Sequence, residues 1–142
     1  MIGRLLQVAF PLLILTVHSC NLVRLETKVG AMEHFQRGVQ YQESKQYRLA
    51  LAEYDAALAL DPDQPIIHYN VGLIYYALHL FERSIRSYRR AIGLNPHFAE
   101  AWYNLSLAYY QIGDTDAAFM ASERYAKLGS EKIEKVERQD EN

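Results

Sequence analysis

Apolar positions recur with helical spacing through the second half of the chain. Over 66–78 two stripes run side by side: His68, Val71, Gly72, Tyr75 and Leu78 on one, Ile66, Tyr69, Leu73 and Tyr76 on the other. Over 81–94 there is one stripe, Ile85, Tyr88, Ala91 and Ile92, opposite Arg83, Arg86, Arg89 and Arg90. A helix that is apolar nearly all round needs cover on two sides, whereas a one-stripe helix can face water. The pattern therefore predicts inner helices alternating with outer ones, over 34–44, 47–60, 66–78, 81–94, 99–112 and 115–128. Pro62 after Asp61 and Pro96 after Asn95 each end one helix and open the turn to the next.

The pattern is periodic. Residues 31–64 lie over 65–98 and 99–132 without a gap. Gly38, Gly72 and Ser106 share a column, as do Tyr41, Tyr75 and Tyr109, then Ala50, Ser84 and Ala118. Further columns hold Tyr54, Tyr88 and Ser122, then Leu60, Leu94 and Leu128. A fixed period of this size signals stacked supersecondary units that bury a continuous core only together. The small residues let paired helices approach closely, and the tyrosine three places after each glycine is expected beside that contact. The columns resemble the tetratricopeptide repeat. That resemblance implies an all-α, right-handed superhelical solenoid of three helix–turn–helix units. His34 and Arg37 depart from it in the first unit, and Ser106, Ser122, Tyr125 and Ser130 in the third. The last helix is therefore expected to be irregular or to serve as an end.

The inner helices would line a concave strip with few charges. Its candidate binding residues are Phe35 and Val39 in unit one, and Tyr69, Asn70, Leu73 and Tyr76 in unit two. Unit three adds Tyr103, Asn104, Leu107 and Tyr110. Exposed aromatic patches mark interaction sites, and each asparagine offers a donor and an acceptor to a peptide group. The resemblance implies that asparagine in this column contacts peptide backbone. It also excludes the subtype that grips acidic chain ends, because the strip lacks lysine and arginine. The competing reading is that the tyrosines only pack neighbouring units. The four arginines of 81–94 read either as a docking patch for acidic partners or as a solvated face.

The N-terminus has a different pattern. Arg4 precedes a nearly continuous apolar run, Leu5–Val17, too short to span a bilayer at ~20 residues. A positive start, a short apolar stretch and a small residue before a cut describe a secretory signal peptide; a buried N-terminal helix is the alternative. Val17-His18-Ser19-Cys20 resembles the lipobox of bacterial lipoproteins, with His18 an unusual middle residue. That likeness implies a signal peptide over 1–19, diacylglyceryl attachment to Cys20, and a lipidated tether over 20–30. Several acyl chains anchor stably where one does not. Asn21 in place of aspartate implies sorting to the periplasmic face of the outer membrane, with the inner membrane as alternative. The charged tail 133–142 reads as a short cap or as disordered chain.

Composition narrows the function. The formal net charge of −2 argues against a nucleic-acid binder. A single cysteine permits no internal disulfide. The histidines are too far apart to share a metal ion, and no metalloprotease, phosphate-loop or nucleophile-elbow motif occurs. No enzyme activity, metal or cofactor is expected beyond the lipid on Cys20. The sequence predicts a membrane-anchored adaptor that holds an extended peptide or partner subunit and assists assembly of an envelope complex. A permanent structural subunit or homodimer, with Phe119, Met120 and Tyr125 as a sticky end, is the second reading. A cell-wall or glycan binder is the third.

Overall fold

The computed structural model describes residues 23–140 apart from residue 24. The apolar run and Cys20 lie outside the described residues. Six helices and no strand occur among those described: α1 (25–43), α2 (Tyr47–Leu60), α3 (Pro65–Ala77), α4 (Phe81–Leu94), α5 (Ala99–Gln111) and α6 (Thr115–Asp140). α2 and α4 have the bounds read from the sequence; α3 and α5 differ by a residue or two. The larger differences are at the ends.

Each hairpin is closed by one repeated turn. The residue at its apex is left-handed in all three: Lys45 (φ 57°), His79 (φ 57°) and Gly113 (φ 80°). The next amide returns to a tyrosine carbonyl five residues back, Gln46 to Tyr41 (2.8 Å), Leu80 to Tyr75 (2.9 Å) and Asp114 to Tyr109 (3.1 Å). This is a Schellman-type stop that satisfies carbonyls left open at the helix end. Between units, the Asp61 and Asn95 amides bond the Ala57 and Ala91 carbonyls (both 2.9 Å), and Pro65 opens α3, where its missing N–H costs nothing.

Within a hairpin the helices meet at glycine. A Cβ on Gly72 would stand 2.5 Å from the ring of Tyr88, and one on Gly38 would strike the ring of Tyr54. The expectation of Tyr41 and Tyr75 beside the two glycines is corrected: the rings there are those of Tyr54 and Tyr88. They descend from the facing helix at the level of the missing side chain. Unit three has Ser106 and Ser122 in these columns, and each hydroxyl turns back to its own helix, to the Tyr103 and Phe119 carbonyls (both 2.7 Å).

Adjacent hairpins share two cores. One joins Ala50, Tyr54 and Ala57 of α2 to Ile67 and Ile74 of α3. The other joins Ile85, Tyr88, Ala91 and Ile92 of α4 to Ala101, Leu105 and Ala108 of α5, with Ala121 of α6. α3 also touches α5, whereas α2 does not approach α4 as closely, nor α4 α6. The first helices therefore crowd together and the second helices splay, which bends the all-α solenoid with its first helices inside.

Both ends correct the sequence reading. Residues 25–30, assigned to a tether, are the first turns of α1. The tail is not a separate short cap, because α6 continues through Gly129 to Asp140. A glycine inside a helix costs only about 1 kcal/mol. Leu128 is buried, and with Glu131 and Lys132 it faces His97, Ala99 and Glu100 across a shallow depression, which holds the continuing helix on the solenoid.

Candidate functional site

The inner strip sits on α1, α3 and α5, and rings of the second helices, Tyr54, Tyr88, Phe81 and Tyr125, cover part of it. Phe35 and Val39 are half-buried against the first core. Tyr69, Leu73 and Tyr76 are half-buried against the second. Asn70, Asn104 and Leu107 are half-buried as well. Tyr103 and Tyr110 are open, at 46% and 68% exposure. The strip therefore grades from packed aromatics in its first two units to more exposed ones in its third.

Its polar groups are partly engaged. Asn104 donates from Nδ2 to the Tyr69 hydroxyl (3.0 Å) and to the Glu100 carbonyl (2.9 Å). Its donors thus join α3 to α5, and its carbonyl oxygen remains to accept. Tyr69 also packs on Phe98 (4.8 Å) and on Tyr88 (5.8 Å), and burial raises its pKa. Tyr69 and Asn104 thus brace the stack as well as line the strip. Tyr76 lies edge-on to Phe81 (5.4 Å), and Tyr103 lies against Tyr125 of α6 (5.3 Å).

At the front of the strip a depression of ≈ 160 Å³ opens between α1 and α3, lined by Met32, Phe35 and Ile66 with Lys28 and Asp61 at its rim. Between α1 and α2, His34, Arg37 and Glu53 form a cluster. Glu53 accepts from the Arg37 Nε (3.0 Å) and lies 2.7 Å from the His34 ring. The His34 hydrogen bond, then Arg37, hold the Glu53 carboxyl below the usual range. No group of three ligating side chains that could hold a metal occurs among the described residues.

A second depression, not foreseen from the sequence, lies on the outer side. It measures ≈ 620 Å³ and is floored by Trp102, Leu105 and Tyr109 of α5 where α4 and α6 splay apart. The readable signal was the small residues Gly93, Ala117 and Ala121 on its two walls. The Trp102 indole donates to the Pro96 carbonyl (3.0 Å), and His68, one period earlier, stands 3.1 Å from the Pro62 carbonyl. Of the outer arginines, Arg83 stacks over Tyr75 (5.7 Å) and Arg90 reaches Asp63 (3.2 Å).

Two family models match the sequence: "TPR repeat" over 38–78 and "Tetratricopeptide repeat" over 74–131. No curated protein matches it. Among solved structures, the second TPR of Spaghetti (RPAP3) bound to HSP90 peptide SRMEEVD is similar at TM-score 0.74 and 18% identity, covering 80% of this chain and 97% of that one. The crystal structure of MamA gives 0.73 and 22%, covering 76% and 63%. The N-terminal domain of stress-induced protein-1 from C. elegans gives 0.69 and 19%, covering 80% and 97%. With three hairpins closed by one turn, stacked through one set of columns and matched across 38–131, the chain is a tetratricopeptide-repeat solenoid.

Proposed function

We propose that the chain is a non-catalytic interaction module that holds an extended peptide along the inner strip of α1, α3 and α5. The observation that carries this reading is the open pair Tyr103 and Tyr110, on inner helices that also expose Ile66 and Met32. Large rigid side chains of this kind supply contact area at low entropic cost. The free oxygen of Asn104 supplies a peptide-group acceptor, and the strip favours an uncharged or aromatic segment. The second TPR of Spaghetti, bound to HSP90 peptide SRMEEVD, supports peptide binding by this fold, there with an acidic ligand.

Selection of a displayed random peptide library on the chain tests it. The expected result is enrichment of aromatic-containing peptides that is lost, by tenfold or about 1.4 kcal/mol, on Tyr103→Ala with Tyr110→Ala. Enrichment that survives this pair, or is abolished instead by changes on the outer face of α6, overturns the strip.

The same reading includes anchoring. Cys20 carries the lipid, and the module works at the periplasmic face of the outer membrane, assisting assembly of an envelope complex. Because 25–30 is helical, it advances only ~1.5 Å per residue, which keeps the strip close to the bilayer. No described helix is long and apolar enough to cross a membrane. Labelled fatty acid supplied to cells making the wild type and Cys20→Ser checks the anchor; equal labelling removes it.

A further inference from the structure

A solenoid has two ends, and the columns say what each was built to meet. In α4, Ile85 and Ile92 are buried in the core shared with α5, and Tyr88, its ring on Gly72 of α3, is buried between α3 and α5. One period later the same columns on α6 hold Phe119, Ser122 and Ala126, and all three are exposed, Phe119 at 63%. The stripe continues along the extended helix through Gly129 to Ile133, itself 61% exposed. Open space surrounds the position where a Gly129 Cβ would stand. The spacing 119, 122, 126, 129, 133 alternates three and four, the seam that keeps two helices in register.

The opposite end of the solenoid limits what can cover this face. The columns that α5 presents to α4 hold Ala101, Leu105 and Ala108, and those of α3 hold Ile67, Val71 and Ile74. In α1 they hold Glu33, Arg37 and Gln40. The front of one molecule is therefore a poor match for the back of another, which disfavours head-to-tail growth.

The rear face is complementary to itself. Phe119 and Ile133 each stand seven residues from Ala126, with Ser122 and Gly129 between. We propose that two copies of the chain pair through α6, antiparallel, about a two-fold axis at Ala126, with Phe119 of each beside Ile133 of the other. The small centre lets the backbones approach and the large ends close the seam, an isologous contact that stops at two. The seam offers on the order of a few hundred Å² per partner, below the ~800 Å² of a standard interface. The pair is therefore a weak one in solution, strengthened when anchoring concentrates the chains.

The test uses the full chain carrying Cys20→Ser, in mild detergent. Ala126→Cys is expected to form a disulfide-linked dimer under mild oxidation much faster than Lys127→Cys, also exposed but on another face of α6. Sedimentation of the Cys20→Ser chain is expected to show concentration-dependent dimers. Phe119→Glu with Ile133→Glu is expected to leave monomers of unchanged helicity. A monomer at all concentrations, equal crosslinking at 126 and 127, or a dimer that survives the two glutamates overturns the proposal. The Tyr103→Ala and Tyr110→Ala changes leave dimerisation unaltered, so the seam and the peptide strip stand or fall separately.

Discussion

At the scale of the residue, the same side chain has different consequences in different units. The Tyr54 hydroxyl is buried but donates to Gln42 (2.7 Å), and burial pushes its pKa up to about 12. Tyr76 replaces Gln42 one period later, and Tyr88 is left with a buried hydroxyl that has no partner, beside the equally unpartnered Ser84. An unmade buried hydrogen bond costs ~1–3 kcal/mol, while a made one contributes ~1 kcal/mol. Denaturant unfolding should therefore find Tyr54→Phe destabilised by about 1 kcal/mol and Tyr88→Phe unchanged or stabilised. Equal losses would contradict the pairing. His68 gives a pH dependence. Burial chiefly, with help from Arg90, lowers its pKa in the folded chain below the ordinary value of 6.5. The unfolded chain then binds the proton first, so stability present above that value is lost as pH falls through the folded pKa. His68→Trp, which copies Trp102, should abolish this loss when melting is compared at about pH 5.5 and about pH 7.5.

At the scale of the element, the apex residues of the hairpins are under unequal strain. Gly113 adopts its left-handed backbone freely, whereas Lys45 and His79 carry a Cβ there. Lys45→Gly should stabilise the protein by up to about 1 kcal/mol, relief of the ~1–2 kcal/mol left-handed cost outweighing the ~0.4–1 kcal/mol of added freedom in the unfolded chain, read as a rise in the unfolding midpoint; His79 is the poorer test because its ring also packs on Phe81 (5.7 Å). Helix bounds in the middle of the chain were legible because proline and the glycine–tyrosine columns mark them. The ends were not. Residues 25–30 lack the columns and read as a linker, and Gly129 reads as a stop unless one knows that Leu128 is buried. The candidate strip was legible as a set of columns, but the bracing of Tyr69 by Asn104 spans thirty-five residues and involves no local pattern. The outer depression was hidden for the same reason, since it exists only where α4 and α6 diverge.

At the scale of the molecule, stability is nearly a sum over hairpins and the seams between them. The first and second seams use the same columns, Tyr54 and Ala57 against Ile67 and Ile74, then Tyr88 and Ala91 against Ala101, Leu105 and Ala108. Removal of α1 and α2 would uncover Ile67, Val71 and Ile74 without the polar replacement that Glu33, Arg37 and Gln40 provide. Such a truncated chain should aggregate on size-exclusion chromatography, and a soluble monomer of native helicity would refute the seam.

The interchangeable seams carry a consequence for length. A duplicate of 65–98 spliced after Asn95–Pro96 and His97–Phe98, ahead of Ala99, would meet a matching surface on both sides. The protein could thus be lengthened by whole hairpins from within, while its two termini keep the surfaces they already have.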